Sequence, residues 1–197
     1  MRFRFLGTDI YISFIFIALI TLMLATDKTG LALPMFFSVF IHETGHLFAM
    51  WLLDCAPKSI RLIPASVQIT RSISNHYKSD IIIALMGPVV NIFLFGVLYF
   101  NYTCFKNKIT LIYALINLII GVFNMLPVTG LDGGTVLFSV LARKFDFNRS
   151  MLILRVITAL LAILFFILAV TLSLRGKINI SLYIIALYLF MGVLIKM

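Results

Sequence analysis

The feature that most constrains this chain is a succession of apolar stretches, at residues 10 to 25, 31 to 53, 80 to 104, 109 to 138, 151 to 174 and 178 to 195, joined by connections as short as "TDKTG", "KNK" and "RGK". A helix needs about 20 apolar residues to cross the hydrocarbon core of a bilayer. The pattern therefore predicts an all-α polytopic membrane protein with six transmembrane helices. Such short connections make successive helices antiparallel neighbours in one bundle, so a single integral-membrane domain over 1–197 is expected, with no soluble module. Composition agrees, since 62% of the residues are hydrophobic against about 45 to 50% in soluble domains. A water-soluble globule is excluded.

Two places depart from plain helix. The fourth stretch is too long for one regular span and contains "NMLPVTGLDGG" from Asn124 to Gly134, whose Pro and Gly residues predict a break. Irregular backbone at membrane depth is tolerated only against protein or a wet cavity. Between residues 54 and 79, "SIRLIPASVQIT" combines β-branched residues with loose alternation. It reads either as a short membrane-associated strand or hairpin or as an interfacial loop. The N-terminal "MRFRF" before an apolar run resembles a secretory leader, but no small-x-small site precedes Thr26, so an uncleaved first span is expected.

The net charge of +9 reads as membrane topology rather than nucleic-acid binding, because no dense basic run accompanies it. Arg2, Arg4, Lys58, Arg61, Arg71, Lys78, Arg143, Lys144, Arg149 and Lys196 fall on one side of the predicted spans. Lys28, Lys106, Lys108, Arg175 and Lys177 fall on the other, and Arg155 lies inside the fifth span. That bias places both termini of a multi-pass cell-membrane protein in the cytoplasm. Cys55 and Cys104 suit neither a disulfide framework nor a thiolate metal site, and read as apolar filler.

The chemistry concentrates in "HETGH", residues 42 to 46, inside the second stretch; Glu43 is the sole glutamate, and His42 and His46 are two of three histidines. Ionisable groups at that depth are costly without a function. On a helix the two histidines lie about 40° apart on one face, where two imidazoles can hold one Zn²⁺ while Glu43 reaches the activated water. A catalytic zinc needs a third protein ligand and an open position. Asp9, Asp27, Asp54, Asp80 and Asp146 sit at span ends or in loops, which leaves Asp132 as the candidate. The second and fourth spans run in the same direction with their polar clusters toward the cytoplasmic half, an arrangement that would set His42, His46 and Asp132 at one depth.

"HETGH", then "GPVVN" from Gly87 to Asn91, then "NMLPVTGLDGG", in this order, resemble the site-2 protease family of intramembrane zinc metalloproteases. The six-span arrangement and the "RLIP" stretch are most similar to the sporulation factor IV FB type, which cleaves a membrane-tethered pro-sigma factor. The resemblance implies zinc on His42, His46 and Asp132, Glu43 as general base, and a membrane-anchored protein substrate within the lipid bilayer. Two departures accompany it, since residues 1–197 are expected to hold neither the nucleotide-sensing CBS domain common after the last span in that subgroup nor the PDZ domain of other members.

An amide inside the membrane can stabilise an oxyanion or bind substrate backbone, and the resemblance favours such a role for Asn124 and, less, for Asn91. The alternative for Asn91 is hydrogen bonding between helices. Gly87 and Pro88 read as allowing close helix approach, Pro127, Gly133 and Gly134 as the break that aims Asp132, His76 as a solvated interfacial residue, and Ser79-Asp80 as a helix cap. A helical substrate must unwind before attack, and a strand edge within 60 to 70 could hold it by β-addition. Beside the endopeptidase reading stand a zinc-binding membrane protein without catalysis, which would have no use for Glu43, and a peptidase for short signal or leader peptides.

Overall fold

The computed structural model describes residues 2–5, 8–55, 57–63, 66–71, 77–176 and 179–194; His76 lies outside them. Backbone contacts divide the chain into two compact units, Met1–Phe123 and Asn124–Met197.

In the first unit, strand β1 (Arg2–Phe5) turns back on β2 (Thr8–Ile12), and helices α1 (Phe14–Thr26) and α2 (Ala32–Leu52) follow. The chain returns as β3 (Pro57–Ile63) and β4 (Ser66–Arg71). The strands form one sheet in the order β1-β2-β3-β4, with β2 and β3 parallel and both outer pairs antiparallel. A parallel pair needs a long crossover, which α1 and α2 supply. Successive strand residues point to opposite faces, so Thr8, Ile10 and Ile12 share one face of β2 while Asp9 and Tyr11 share the other. On that second face the register sets Arg2 and Arg61 on either side of Tyr11. Their guanidinium carbons lie 5.0 and 5.4 Å from its ring centroid, a pair of cation–π contacts across three strands.

The sheet is larger than the short strand or hairpin expected after the second apolar stretch, and the first stretch, expected as a span from residue 10, is strand through Ile12 before it becomes helix. Counting apolar residues does not separate the two, because Ile10 and Ile12 fit either.

Helices α3 (Tyr77–Phe105) and α4 (Lys108–Asn124) complete the unit, the last residue of α4 opening the second. Where α2 crosses α3 the contact is made by small residues, as in membrane bundles. A Cβ on Gly45 would lie 2.8 Å from the Met86 carbonyl oxygen and 3.2 Å from the Gly87 Cα. Below this crossing Ala49, Met50 and Ile83 form a buried cluster flanked by Leu47 and Met86.

The second unit runs from the break through α5 (Asp132–Leu141), α6 (Phe147–Leu174) and α7 (Ile180–Leu194). Asp146 caps α6 by accepting from the Arg149 amide. Val128 and Leu131 of the break, Met151, Leu154, Ala162 and Ala169 of α6, and Ala186 and Leu189 of α7 are among its buried apolar residues.

Among the described residues two helices, α3 and α6, are long and apolar enough to cross a membrane. Large apolar side chains stay exposed on every helix, reaching 79% at Phe14 and 82% at Leu174. Soluble monomers rarely present such a surface; lipid is the solvent that suits it.

Candidate metal centre

"HETGH" falls in the second half of α2, and both histidines are buried. Their hydrogen bonds fix their orientation. The His46 Nδ1 lies 2.8 Å from the Ile83 carbonyl oxygen; a carbonyl only accepts, so Nδ1 carries the hydrogen. The His42 Nδ1 lies 2.9 Å from the Asn91 Oδ1. Asn91 donates its Nδ2 to the Ser38 carbonyl at 3.3 Å, which turns Oδ1 toward the imidazole, so here too Nδ1 donates.

Both Nε2 atoms are thereby turned to each other, 3.1 Å apart, on rings whose planes are 84° apart. Two lone pairs at that range repel unless a proton or a cation lies between them. Two zinc–nitrogen bonds of about 2.0–2.1 Å at a tetrahedral angle set their nitrogens about 3.3 Å apart, close to the observed spacing. The α2–α3 crossing also keeps the space before the rings clear. A Cβ on Gly87 would strike the His46 Nε2 and stand 2.8 Å from the His42 Cε1.

Glu43, half-buried, lies on the same helix about 60° around from His46. Asn91 is fully buried with both ends of its amide engaged by protein groups.

In the second unit Asp132 is half-buried and is the first residue of α5, where a helix N-terminus favours negative charge. The break that leads to it is tightly tied. The Thr129 amide donates to the Thr158 Oγ1 at 3.0 Å, that hydroxyl donates to the Leu154 carbonyl at 2.9 Å, and the Thr129 hydroxyl donates to the Gly192 carbonyl at 2.8 Å. Gly130 turns the chain at φ +90°. Cβ atoms on Gly133 and Gly134 would strike the Met125 and Val128 carbonyls, so the first turn of α5 packs directly on the loop backbone. Asn124 ends α4 and is half-buried.

Reading the sequence alone misses Ser38, Asn117, Thr129, Thr158 and the Ile83 carbonyl. The first four carried one signal, a polar residue within an apolar run. A backbone carbonyl carries none.

Residues 103–170 match the model of Peptidase family M50, a segment that includes Asn124 and Asp132. A zinc metalloprotease of Methanocaldococcus jannaschii is 26% identical over 204 residues, covering 96% of this chain and 58% of the relative. The chain thus spans less than two thirds of that relative's length. The structure of a site-2 protease from the same organism matches with a TM-score of 0.72 at 24% identity, over 98% of this chain and 93% of the other, a likeness of fold.

Proposed function

We infer that this chain, whose residues 103–170 match the model of Peptidase family M50, is an intramembrane zinc endopeptidase that cleaves a membrane-anchored protein within or near its transmembrane segment. The observation that carries the reading is the pair of Nε2 atoms 3.1 Å apart with the chain's sole glutamate beside them. His42 and His46 would hold the ion, with Asp132 as third ligand. Two imidazoles and a carboxylate suit zinc, and the similar archaeal protein is named a zinc metalloprotease.

When bound, zinc supplies Lewis acidity and lowers the pKa of water at the site to about 7. Glu43 takes the proton of the attacking water and passes it to the leaving amine. The Asn124 amide donates to the oxygen on which charge develops. The engaged amide of Asn91 favours its alternative, anchoring between helices. The buried environment of the histidines excludes bulk water.

Six membrane crossings with both termini cytoplasmic belong to the same proposal, supported by the Lys and Arg bias. The edge strand β4 would hold the unwound substrate by β-addition, and a tethered pro-sigma or anti-sigma factor is the substrate class proposed. A carrier of zinc would need ligands only, so Glu43 favours hydrolysis over mere binding.

The test is metal content of purified wild type, His46→Ala and Asp132→Ala, with cleavage of a membrane-tethered substrate by wild type and Glu43→Gln. Expected are about one zinc in wild type, its loss in both ligand variants, and retained zinc with cleavage lowered about 10²- to 10⁴-fold in Glu43→Gln. Unchanged cleavage in Glu43→Gln overturns the enzymatic reading.

A further inference from the structure

Behind His42 runs a chain of buried side-chain amides and a hydroxyl whose direction is fixed from its far end. Asn117 donates its Nδ2 to the Tyr113 carbonyl at 2.9 Å. Because that carbonyl can only accept, the Asn117 Oδ1 is turned inward. There it accepts from the Ser38 hydroxyl at 2.6 Å and from the Asn91 Nδ2 at 3.1 Å. Asn91, whose Nδ2 also meets the Ser38 carbonyl at 3.3 Å, then has only its Oδ1 to offer His42. The sense of every bond follows from two backbone carbonyls, Tyr113 at one end and Ser38 beside the middle. Ser38, Asn91 and Asn117 are each at most 7% exposed, so water does not substitute for any member.

We propose that Ser38, Asn91 and Asn117 form a positioning network that holds His42 as the Nδ1–H tautomer with Nε2 turned toward the metal. Metal affinity then depends on Asn117, a residue of α4 that is linked to His42 through Asn91. This rests on the zinc reading above and adds to it a role for a third helix. An imidazole that ligates through one nitrogen is oriented by what the other nitrogen donates to. A lone buried Asn91 could present either end of its amide; Asn117 removes the choice, since its Oδ1 rejects the Asn91 Oδ1. By helical spacing Asn117, Gly121 and Asn124 share one face of α4. Gly121 brings that face against α3, its Cβ position lying 3.3 Å from both the Asn91 Cβ and the Pro88 carbonyl oxygen. One face of α4 therefore carries both the amide that orients a ligand and the amide proposed to meet the substrate.

The experiment uses full-length protein in detergent. Zinc affinity is read by competition with a chelator, and the His42 tautomer in the metal-free protein by ¹⁵N-histidine NMR, where three histidines give a tractable spectrum. Wild type should show the Nδ1–H form at His42. Asn91→Leu should lose it and weaken zinc binding about 10- to 100-fold, the range for loss of such a partner. Asn117→Leu should shift the same tautomer populations and weaken binding by about tenfold or more. The double variant should bind no more weakly than Asn91→Leu alone, because Asn117 acts through Asn91. Ser38→Ala, the smallest change, should move the same two readouts in the same direction. Unchanged tautomer and affinity in Asn117→Leu and Ser38→Ala overturn the network, as does strict additivity in the double variant. Absence of zinc binding in wild type instead overturns the reading of the centre itself.

Discussion

Replacing Gly87 by alanine adds one methyl group at the place where α3 faces the histidines. The new carbon would strike the His46 Nε2 and lie 2.8 Å from the His42 Cε1. Ordinary contact needs about 3.5 Å, so even the milder overlap is short by about 0.7 Å. The helices cannot slide apart cheaply, because Gly45 already seats α2 against the backbone of Met86 and Gly87. Overpacking of this kind costs about 1–3 kcal/mol. Relief by turning the imidazoles breaks the bonds to the Ile83 carbonyl and Asn91, each worth about 1 kcal/mol. Those two bonds alone amount to about 2 kcal/mol, or roughly 30-fold in zinc affinity, before the methyl's occupation of the ion's place is counted. Gly96→Ala in the same helix is the control, since its Cβ would meet nothing within 4 Å; it should leave zinc affinity unchanged and raise helix stability by up to about 1 kcal/mol. The assay is chelator competition beside thermal unfolding of both variants. Wild-type zinc affinity in Gly87→Ala would refute the geometry.

Thr158→Val removes the hydroxyl that receives the buried Thr129 amide, and thermal unfolding should report a loss of about 1–3 kcal/mol; no loss would mean that the break before Asp132 is held otherwise. Proline at Val67 or Ile69, positions of β4 paired with Leu62 and Ile60, removes an amide donor and should impair cleavage while sparing zinc content; intact cleavage would exclude β-addition at this strand. The carboxyl of Asp27, in the α1–α2 turn, is held below the usual carboxylate range by the Thr29 hydroxyl first and by the Ala32 and Thr29 amides next. A depressed carboxyl contributes stability above its unfolded pKa of about 3.9 and loses it as pH falls through the lower folded value. Exchange of the Ala32 amide should accelerate over that acid range in wild type and show no such step in Asp27→Asn.

The parts most legible in the sequence were those with a periodic or chemical signature. Apolar run lengths anticipated α2 through α7 to within a few residues, and Pro127 with Gly130 and Gly133 marked where the fourth stretch divides. The His42 and His46 pair stood out because ionisable residues are so few in this chain. The N-terminal strands did not, because Ile10 and Ile12 count equally toward an apolar run and toward one face of a strand. Nor did the support behind His42. Ser38 and Asn117 lie 79 positions apart and look alike with other polar residues in apolar runs until the backbone brings them together.

The parallel pairing of β2 with β3 also fixes an order of events during synthesis. Asp9 pairs with Ser59, so β2 must wait for 50 further residues to emerge, roughly 3 to 10 s at about 5–20 residues per second. Those residues are α1 and α2, with the histidines among them. The sheet is a clasp that can shut only after the helix that carries both histidines has been made, and its closure ties β1 and β2 to the completed hairpin of helices.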